Sequence, residues 1–258
     1  MKIATLQYNI VWEDTFANIK RLNGLLHQLP ADVDILVLPE MFNTGFSMDV
    51  DAIALTAGGE ALDWMKATAK AKKVVVVGSV AVAIQNETFN RLYWVQPNGT
   101  VKHYDKRHLF RMAEEHHHYT AGDKQVVVEY KNFRFMLQIC YDLRFPIWSR
   151  NNKELDYDAL IYVANWPEVR SEAWYALLKA RAIENLSYVI GVNRVGTDGN
   201  GNEYDGRSAV FDFKGVAIDS HKDHKEGFSF QVLDLEAIKL FRRRFPAQLD
   251  ADDYEIHS

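Results

Sequence analysis

Phe133-Arg134-Phe135-Met136-Leu137-Gln138-Ile139 runs directly into Cys140-Tyr141-Asp142-Leu143-Arg144-Phe145-Pro146, and Cys140 is the only cysteine in the 258 residues. The first seven residues are aromatic, apolar and short enough to read as a strand. The charged segment that follows, ending at Pro146, reads as a turn. A thiol at that junction is presented to a cleft, whereas a thiol in mid-strand is simply packed away. A lone free cysteine is more often a small buried hydrophobe than a reactive group, so its function rests on what the rest of the chain supplies.

Two other segments supply it. Ile35-Leu36-Val37-Leu38 is a buried-strand pattern stopped by Pro39, and Glu40 follows at once. A carboxylate just past the carboxyl end of a buried strand lies where open α/β sheets place their binding crevice. Val101-Lys102-His103-Tyr104-Asp105-Lys106 follows the turn signal Gln96-Pro97-Asn98-Gly99-Thr100, which puts Lys106 at a strand end too. A strand-end glutamate or a basic cluster alone is as readily a solvated surface.

The combination is chemically complete. A cysteine nucleophile needs a base to take its proton and a positive neighbour to favour the thiolate. Glu40 can accept that proton and return it to a leaving amine. The Lys106 ammonium can stabilise the thiolate and the oxyanion of a tetrahedral intermediate, with the backbone N–H of Tyr141 as a second donor. Such a site cleaves amides without histidine or metal.

Leu38-Pro39-Glu40-Met41-Phe42, Asp105-Lys106-Arg107-His108-Leu109-Phe110 and Cys140-Tyr141-Asp142-Leu143-Arg144-Phe145-Pro146 resemble the three catalytic blocks of the nitrilase (carbon–nitrogen hydrolase) superfamily. Glu40 and Lys106 are 66 residues apart, and Lys106 and Cys140 are 34 apart. The resemblance extends from Lys2-Ile3-Ala4-Thr5-Leu6-Gln7-Tyr8 to Gly206-Arg207-Ser208-Ala209-Val210-Phe211-Asp212. It implies a four-layer αββα sandwich of mixed sheets in one domain over 1–258, and a Glu40–Lys106–Cys140 triad working through a thioester. It also implies a second glutamate near the lysine. In Met112-Ala113-Glu114-Glu115-His116-His117-His118-Tyr119-Thr120-Ala121-Gly122, the distance from Gly122 favours Glu115, with Glu114 the alternative.

Within the superfamily, the short chain, the cysteine block and Lys106-Arg107-His108-Leu109-Phe110-Arg111-Met112-Ala113-Glu114-Glu115-His116 are most similar to the bacterial omega-amidase branch. That branch deamidates 2-oxoglutaramate and 2-oxosuccinamate. The alternatives are an N-carbamoyl amino acid or aliphatic amide hydrolase, or a catalytically silent binding protein. The resemblance also implies a homodimer, for which Trp148, Trp174 and Leu178 are the expected exposed apolar positions.

Composition fits this reading and narrows it. A net charge of −5 gives no reason to expect nucleic acid or an anionic membrane as partner, and 48% hydrophobic residues is ample for a core. One cysteine excludes an internal disulfide and fits a reducing cytoplasm. No apolar run is long enough to span a membrane, and Met1-Lys2 leading straight into a strand predicts no secretory leader. The three adjacent histidines lack the i, i+4 spacing of a helical metal site, so no cofactor or metal is expected, and they read as a polar loop roofing the site.

Periodicity predicts helices over 11–29, 59–72, 146–151 and 170–185, a last helix containing Arg242-Arg243-Arg244, and an exposed acidic tail from about 247 to 258. Strands are predicted at 74–77, 88–96, 101–105, 125–130, 133–139, 159–163 and 188–192. Phe42, Tyr141 and Trp166 are the candidate pocket residues for a small amide substrate. Arg144 is a candidate for a substrate carboxylate, but an ion pair with Asp142 that holds the turn is the preferred reading.

Overall fold

A computed structural model describes residues 1–219 and 221–256, with side chains for all of these except 55–58. Eleven of its thirteen strands form two stacked sheets. The first has the order β13-β1-β2-β3-β4-β5, formed by β1 (Lys2–Gln7), β2 (Ile35–Val37), β3 (Val75–Ile84), β4 (Glu87–Val95), β5 (Val101–Asp105) and β13 (Gly227–Val232). The second has the order β12-β9-β8-β7-β6, formed by β6 (Val127–Tyr130), β7 (Phe133–Ile139), β8 (Ala159–Val163), β9 (Tyr188–Val192) and β12 (Ala209–Phe211). A hairpin of β10 (Val195–Thr197) and β11 (Glu203–Asp205) stands apart. In each large sheet three parallel strands are flanked by antiparallel neighbours.

Both faces of each sheet are covered, which is why the central strands read as unbroken apolar runs rather than alternating ones. Ile35, Val37, Val75, Val77 and Trp94 of the first sheet share a core with Phe135, Leu137, Ile139 and Ile161 of the second. Trp94 and Phe135 meet with ring centroids 5.2 Å apart. On the outer face of the first sheet, Ala4, Leu6, Leu36 and Val76 pack against Leu22 of α1 (Thr15–Leu25) and Met65 of α2 (Val50–Lys72). Trp174, Leu178 and Ala182 of α5 (Ser171–Asn185) cover the second sheet. The layers run α, β, β, α. Two short helices, α3 (Glu115–His118) and α4 (Pro146–Ser149), carry the loops near the cysteine, and α6 (Leu235–Arg244) closes the chain.

The helix predicted from residue 11 starts at Thr15. Asp14 caps it by accepting from the Ala17 N–H, and Val11 and Phe16 are exposed rather than part of a buried stripe. The helix predicted over 59–72 begins earlier, at Val50, capped in the same way by Asp49. Trp148, Trp174 and Leu178 are not surface residues. They are 6%, 0% and 0% exposed because they seat their helices on the chain's own sheet. Leu178 and Trp174 lie directly over Gly191 of β9, where a Cβ would come within 2.4 Å of Leu178. Arg242 ties the last helix to the second sheet: it donates to the carbonyls of Leu186 and Tyr157 and pairs with Asp158. The acidic tail is largely exposed up to residue 256, its last two residues lying outside the described ones, and Tyr254 docks by donating to the Arg150 carbonyl.

His221 bridges the last third of the chain to β1, its Nε2 lying 2.8 Å from the Thr5 hydroxyl. Burial holds this ring neutral, its pKa pushed down to about 4. The unfolded chain therefore takes up this proton first, at its ordinary pKa of about 6.5. The neutral ring's contribution, up to roughly 3 kcal/mol, is present above that pH and is lost as pH falls from about 6.5 toward 4. Thermal unfolding followed across this window should show His221→Gln losing less stability than the parent chain between pH 7 and 4.5. Parallel curves for the two proteins would reject the assignment.

Candidate active site

The carboxyl ends of β2, β7 and β8 meet at one edge of the sandwich, and the predicted residues converge there. Glu40 comes just after β2, Lys106 directly after β5, and Cys140 directly after β7. Glu40 and Lys106 are 0% and 1% exposed. The Lys106 ammonium donates to Glu40 Oε1 at 2.9 Å and to Glu115 Oε1 at 3.0 Å. An ammonium carries three protons, so one N–H remains for the cavity that Lys106 lines.

Glu115, not Glu114, is the second carboxylate. Glu115 is fully buried on α3, and its other oxygen accepts the Phe110 N–H at 2.5 Å. Glu114 is exposed, with its backbone in the left-handed region at φ 58°. The placement depends on Gly122, whose N–H donates to the Lys106 carbonyl. A Cβ there would sit 2.2 Å from the Asp105 carbonyl oxygen, so only glycine lets this segment lie against the strand that delivers the lysine. The histidines do not roof the site as expected: Met112 and Ala113 line the cavity, while His117 and His118 face solvent.

Cys140 opens a tight turn with φ +44°, a conformation costly for a residue with a Cβ. Asp142 clamps this turn. One of its oxygens accepts the Ile139 N–H and the Tyr104 hydroxyl, and the other accepts the His108 N–H and contacts His108 Nδ1 at 2.8 Å. The Asp142 carboxylate is thereby saturated, and the expected ion pair with Arg144 does not form. Arg144 instead extends into the cavity lining with its guanidinium 5.0 Å from the Trp166 ring centroid.

The thiol's environment also differs from the sequence expectation. Burial pushes the Cys140 thiol well above its ordinary pKa, and the Glu40 carboxylate adds to this, while Lys106 pulls the other way and loses. Cys140 is thus a protonated thiol with a base beside it. Burial works to discharge Lys106, but Glu115 and Glu40 outweigh it and raise its pKa. Burial raises Glu115 as well, against the pull of Lys106.

A cavity of about 330 Å³ opens above Cys140 and Lys106, the size of a small-molecule site. Tyr141 and Trp166 line it as predicted. Phe42 does not. Met41 takes φ +42°, the chain reverses, and the Phe42 ring is driven into the outer core against Trp64 and over the bare Gly78. Phe46 and Met48, a few residues on, take the wall position instead.

Two asparagines that the sequence reading leaves unassigned fix Glu40. Asn90 of β4 donates its amide to Glu40 Oε1 at 2.7 Å, and its carbonyl accepts the Lys106 N–H. The Asn165 N–H donates to Glu40 Oε2 at 2.7 Å, and its side chain reaches the Glu40 carbonyl. Asn165 follows β8 as Cys140 follows β7, so the strand-end rule that marks Cys140 marks it too. Asn90 lies inside a strand and carries no such signal.

The arrangement can move a proton between a thiol and a carboxylate and hold a developing oxyanion between the free Lys106 N–H and the Tyr141 N–H. The carbon-nitrogen hydrolase family model matches residues 2–243. The chain is 46% identical over 256 residues to omega-amidase YafV of Escherichia coli K12, covering 99% of this chain and 98% of that one. It is 34% identical to a 2-oxoglutaramate amidase of Bacillus subtilis, covering 95% of each. Its backbone superposes on the crystal structure of XC1258 from Xanthomonas campestris, a CN-hydrolase superfamily protein with an arsenic adduct in its active site. That TM-score is 0.95, with 39% identity, covering 100% of this chain and 99% of that one. A match of this length joined to this fold leaves one assignment: the chain belongs to the carbon–nitrogen hydrolase family and is a hydrolase of carbon–nitrogen bonds.

Proposed function

We propose that this hydrolase removes the terminal amide of small 2-oxo dicarboxylic acid monoamides, 2-oxoglutaramate and 2-oxosuccinamate, as ammonia. One observation carries the reading: a buried thiol on a strained turn, beside a buried Glu40–Lys106–Glu115 cluster, at the floor of a cavity sized for a small molecule. The substrate class is supported by relatives named omega-amidase and 2-oxoglutaramate amidase.

In this reading Glu40 takes the Cys140 proton as sulfur attacks the amide carbon. The negative charge that develops on the amide oxygen falls between Lys106 Nζ and the Tyr141 N–H. Glu40 then protonates the nitrogen, ammonia leaves, and a thioester remains on Cys140. Water, deprotonated by Glu40, attacks the thioester, and the proton returns to sulfur as the acid departs. No cofactor enters. Because burial favours the neutral thiol, sulfur attacks only with Glu40 there to take its proton.

The catalytic unit is taken as one domain across the chain. A sole thiol that must stay reduced to work favours the cytoplasm. A homodimer is supported by Ile147 of α4 and Ile183 of α5, which are 53% and 47% exposed on the outer helical layer. Among the described residues no helix is long and apolar enough to cross a membrane.

Ammonia release from a panel of ω-amides, N-carbamoyl amino acids and nitriles should give the ω-amides the highest kcat/KM, by roughly tenfold or more. Cys140→Ala should abolish the activity and the acyl adduct seen by mass spectrometry on the parent enzyme. A carbamoyl substrate leading the panel, or turnover by the alanine variant, would sink the reading. Glu115→Ala should lower kcat by about 10²–10³, the cost of disordering an oxyanion donor, whereas the exposed Glu114→Ala should stay within about twofold. The reverse pattern would mean that the other glutamate serves Lys106. Light scattering at micromolar concentration should return twice the 29.7 kDa chain mass, and a monomer mass would remove the dimer.

A further inference from the structure

Two walls of the cavity come from segments that are distant in the chain. Phe46 and Met48 form one, and Asp198, Asn200, Asn202 and Tyr204 of the β10–β11 hairpin form the other. The two segments share a neighbour that does not line the cavity: Trp12, on the loop between β1 and α1. The six-membered ring of its indole faces Gly45, where a Cβ would come within 3.1 Å of Trp12 Cε3. Its pyrrole edge faces Gly199, in the turn between β10 and β11, where a Cβ would come within 2.3 Å of Trp12 Nε1. Each contact sets backbone directly against the ring, with no intervening side chain to give way.

The loop that carries Trp12 is tied to both segments. Glu13 donates its N–H to the Thr44 carbonyl at 2.7 Å, and its carboxylate accepts the Ser47 hydroxyl. On the other side Asn9 forms an isolated bridge with Val195, whose N–H donates to the Tyr8 carbonyl. Arg194 completes the junction from below. It is fully buried, and its donors go to neutral partners: the carbonyls of Ile10, Val195 and Thr197 and the side chain of Asn9. Its guanidinium lies 4.7 Å from the Tyr204 ring centroid. A buried guanidinium shared between the carbonyls of two segments fixes their separation, because moving either one leaves a charged donor unsatisfied. The indole is therefore a spacer on a rigid mount.

We propose that Trp12 is a positioning residue that sets the gap between the two walls, and through it the length of acyl chain that the cavity accepts. This rests on the amidase reading above and adds the element that limits substrate size. The sense of the effect follows from the layering, since the hairpin lines the cavity and the indole does not. A smaller side chain at position 12 lets both segments settle back, which lengthens the cavity. A methyl group added at Gly199 presses the hairpin off the ring and into the cavity, which shortens it. The two substitutions act on one contact with opposite sign. Shifts of that size are readable, because one methylene more or less in a fitted pocket changes kcat/KM by roughly tenfold or more.

The test follows ammonia release from succinamate, glutaramate and adipamate, and takes the ratio of kcat/KM for adipamate to that for succinamate. In Trp12→Ala this ratio should rise roughly fivefold or more over the parent's, mainly through KM for the longer amide. Trp12→Phe should move it the same way by less, and Gly199→Ala should lower it. The kcat on succinamate should stay within about threefold of the parent's in all three variants, because Glu40, Lys106 and Cys140 keep their contacts. A ratio within about twofold of the parent's in the position-12 and Gly199 variants, a shift of the same sign in both, or an equal loss along the series overturns the proposal. Damage to the fold would neither depend on chain length nor reverse its sign. Should Trp12→Ala fail to fold, Trp12→Phe and Gly199→Ala carry the same comparison. Failure of the amidase reading would appear separately, as a parent enzyme inactive on all three amides. The ratio would then be taken on N-carbamoyl-4-aminobutyrate against N-carbamoylglycine, and absence of the opposed shifts there also overturns the proposal.

Discussion

A lysine ammonium held out of water between two carboxylates is the interaction on which the rest of this structure turns. An isolated buried ammonium is very costly, and a buried pair is only tolerable when its remaining protons and lone pairs are satisfied. Here Lys106 meets Glu40 and Glu115, Glu40 is completed by Asn90 and Asn165, and Glu115 by the Phe110 N–H. Those partners come from β4, from the end of β8 and from the loop before α3. The cluster therefore spans both sheets, and it can exist only if the sheets stack with their strand ends in register. The sandwich is the scaffold such a network demands, and removing one member would leave the others as uncompensated buried charges.

The strain at Cys140 belongs to the same design. A side chain with φ +44° does not hold that conformation unaided. Asp142 holds it, with four contacts that reach back to β5 through Tyr104 and to the loop after Lys106 through His108. The ring of His108 stacks on Phe145 at 3.8 Å, so the turn is gripped from both sides. The grip holds Cys140 and Tyr141 in the lining of one cavity. Because Asp142 is spent on this task, Arg144 is released from the turn. One carboxylate's hydrogen-bond capacity thus explains both the geometry of the turn at Cys140 and the free guanidinium beside it.

What the sequence makes legible follows from where side-chain direction is set locally. Glu40, Lys106 and Cys140 each follow a strand; an apolar run followed by a polar residue announces Glu40 and Cys140, and the turn signal before its strand announces Lys106. Most strands are readable for the same reason, since burial on both faces leaves no ambiguity of pattern. Phe42 shows the limit. It lies two residues past Glu40, but the positive φ of Met41 turns it into the outer core, and no composition rule foretells a non-glycine residue in that region. Arg144 fails differently: its partner depended on how many donors Asp142 would meet, which is a property of distant segments. Asn90 is invisible because its contact with Glu40 crosses 50 residues. The exposed tryptophans expected at a dimer face were misplaced because an amphipathic helix does not say which of its neighbours its apolar side will meet. The final strand, β13, pairs with β1 across more than two hundred residues, and local pattern carries no trace of it.

The two ends of the cavity differ in their physics. The inner end is buried, with one ammonium shared between two carboxyl groups, and there a proton can pass between thiol and carboxylate. The outer end is partly exposed, and its charges are supported on aromatic faces without counter-ions. A charge placed at the mouth can attract and orient an anion while adding little to the field at the sulfur, because solvent screens it. Had the free guanidiniums stood beside Cys140, they would have lowered its pKa, and a thiolate of lower pKa is intrinsically the weaker nucleophile. The separation keeps the outer charges away from the thiol, and it follows from keeping Lys106 saturated at one end while Asp142 leaves Arg144 free at the other.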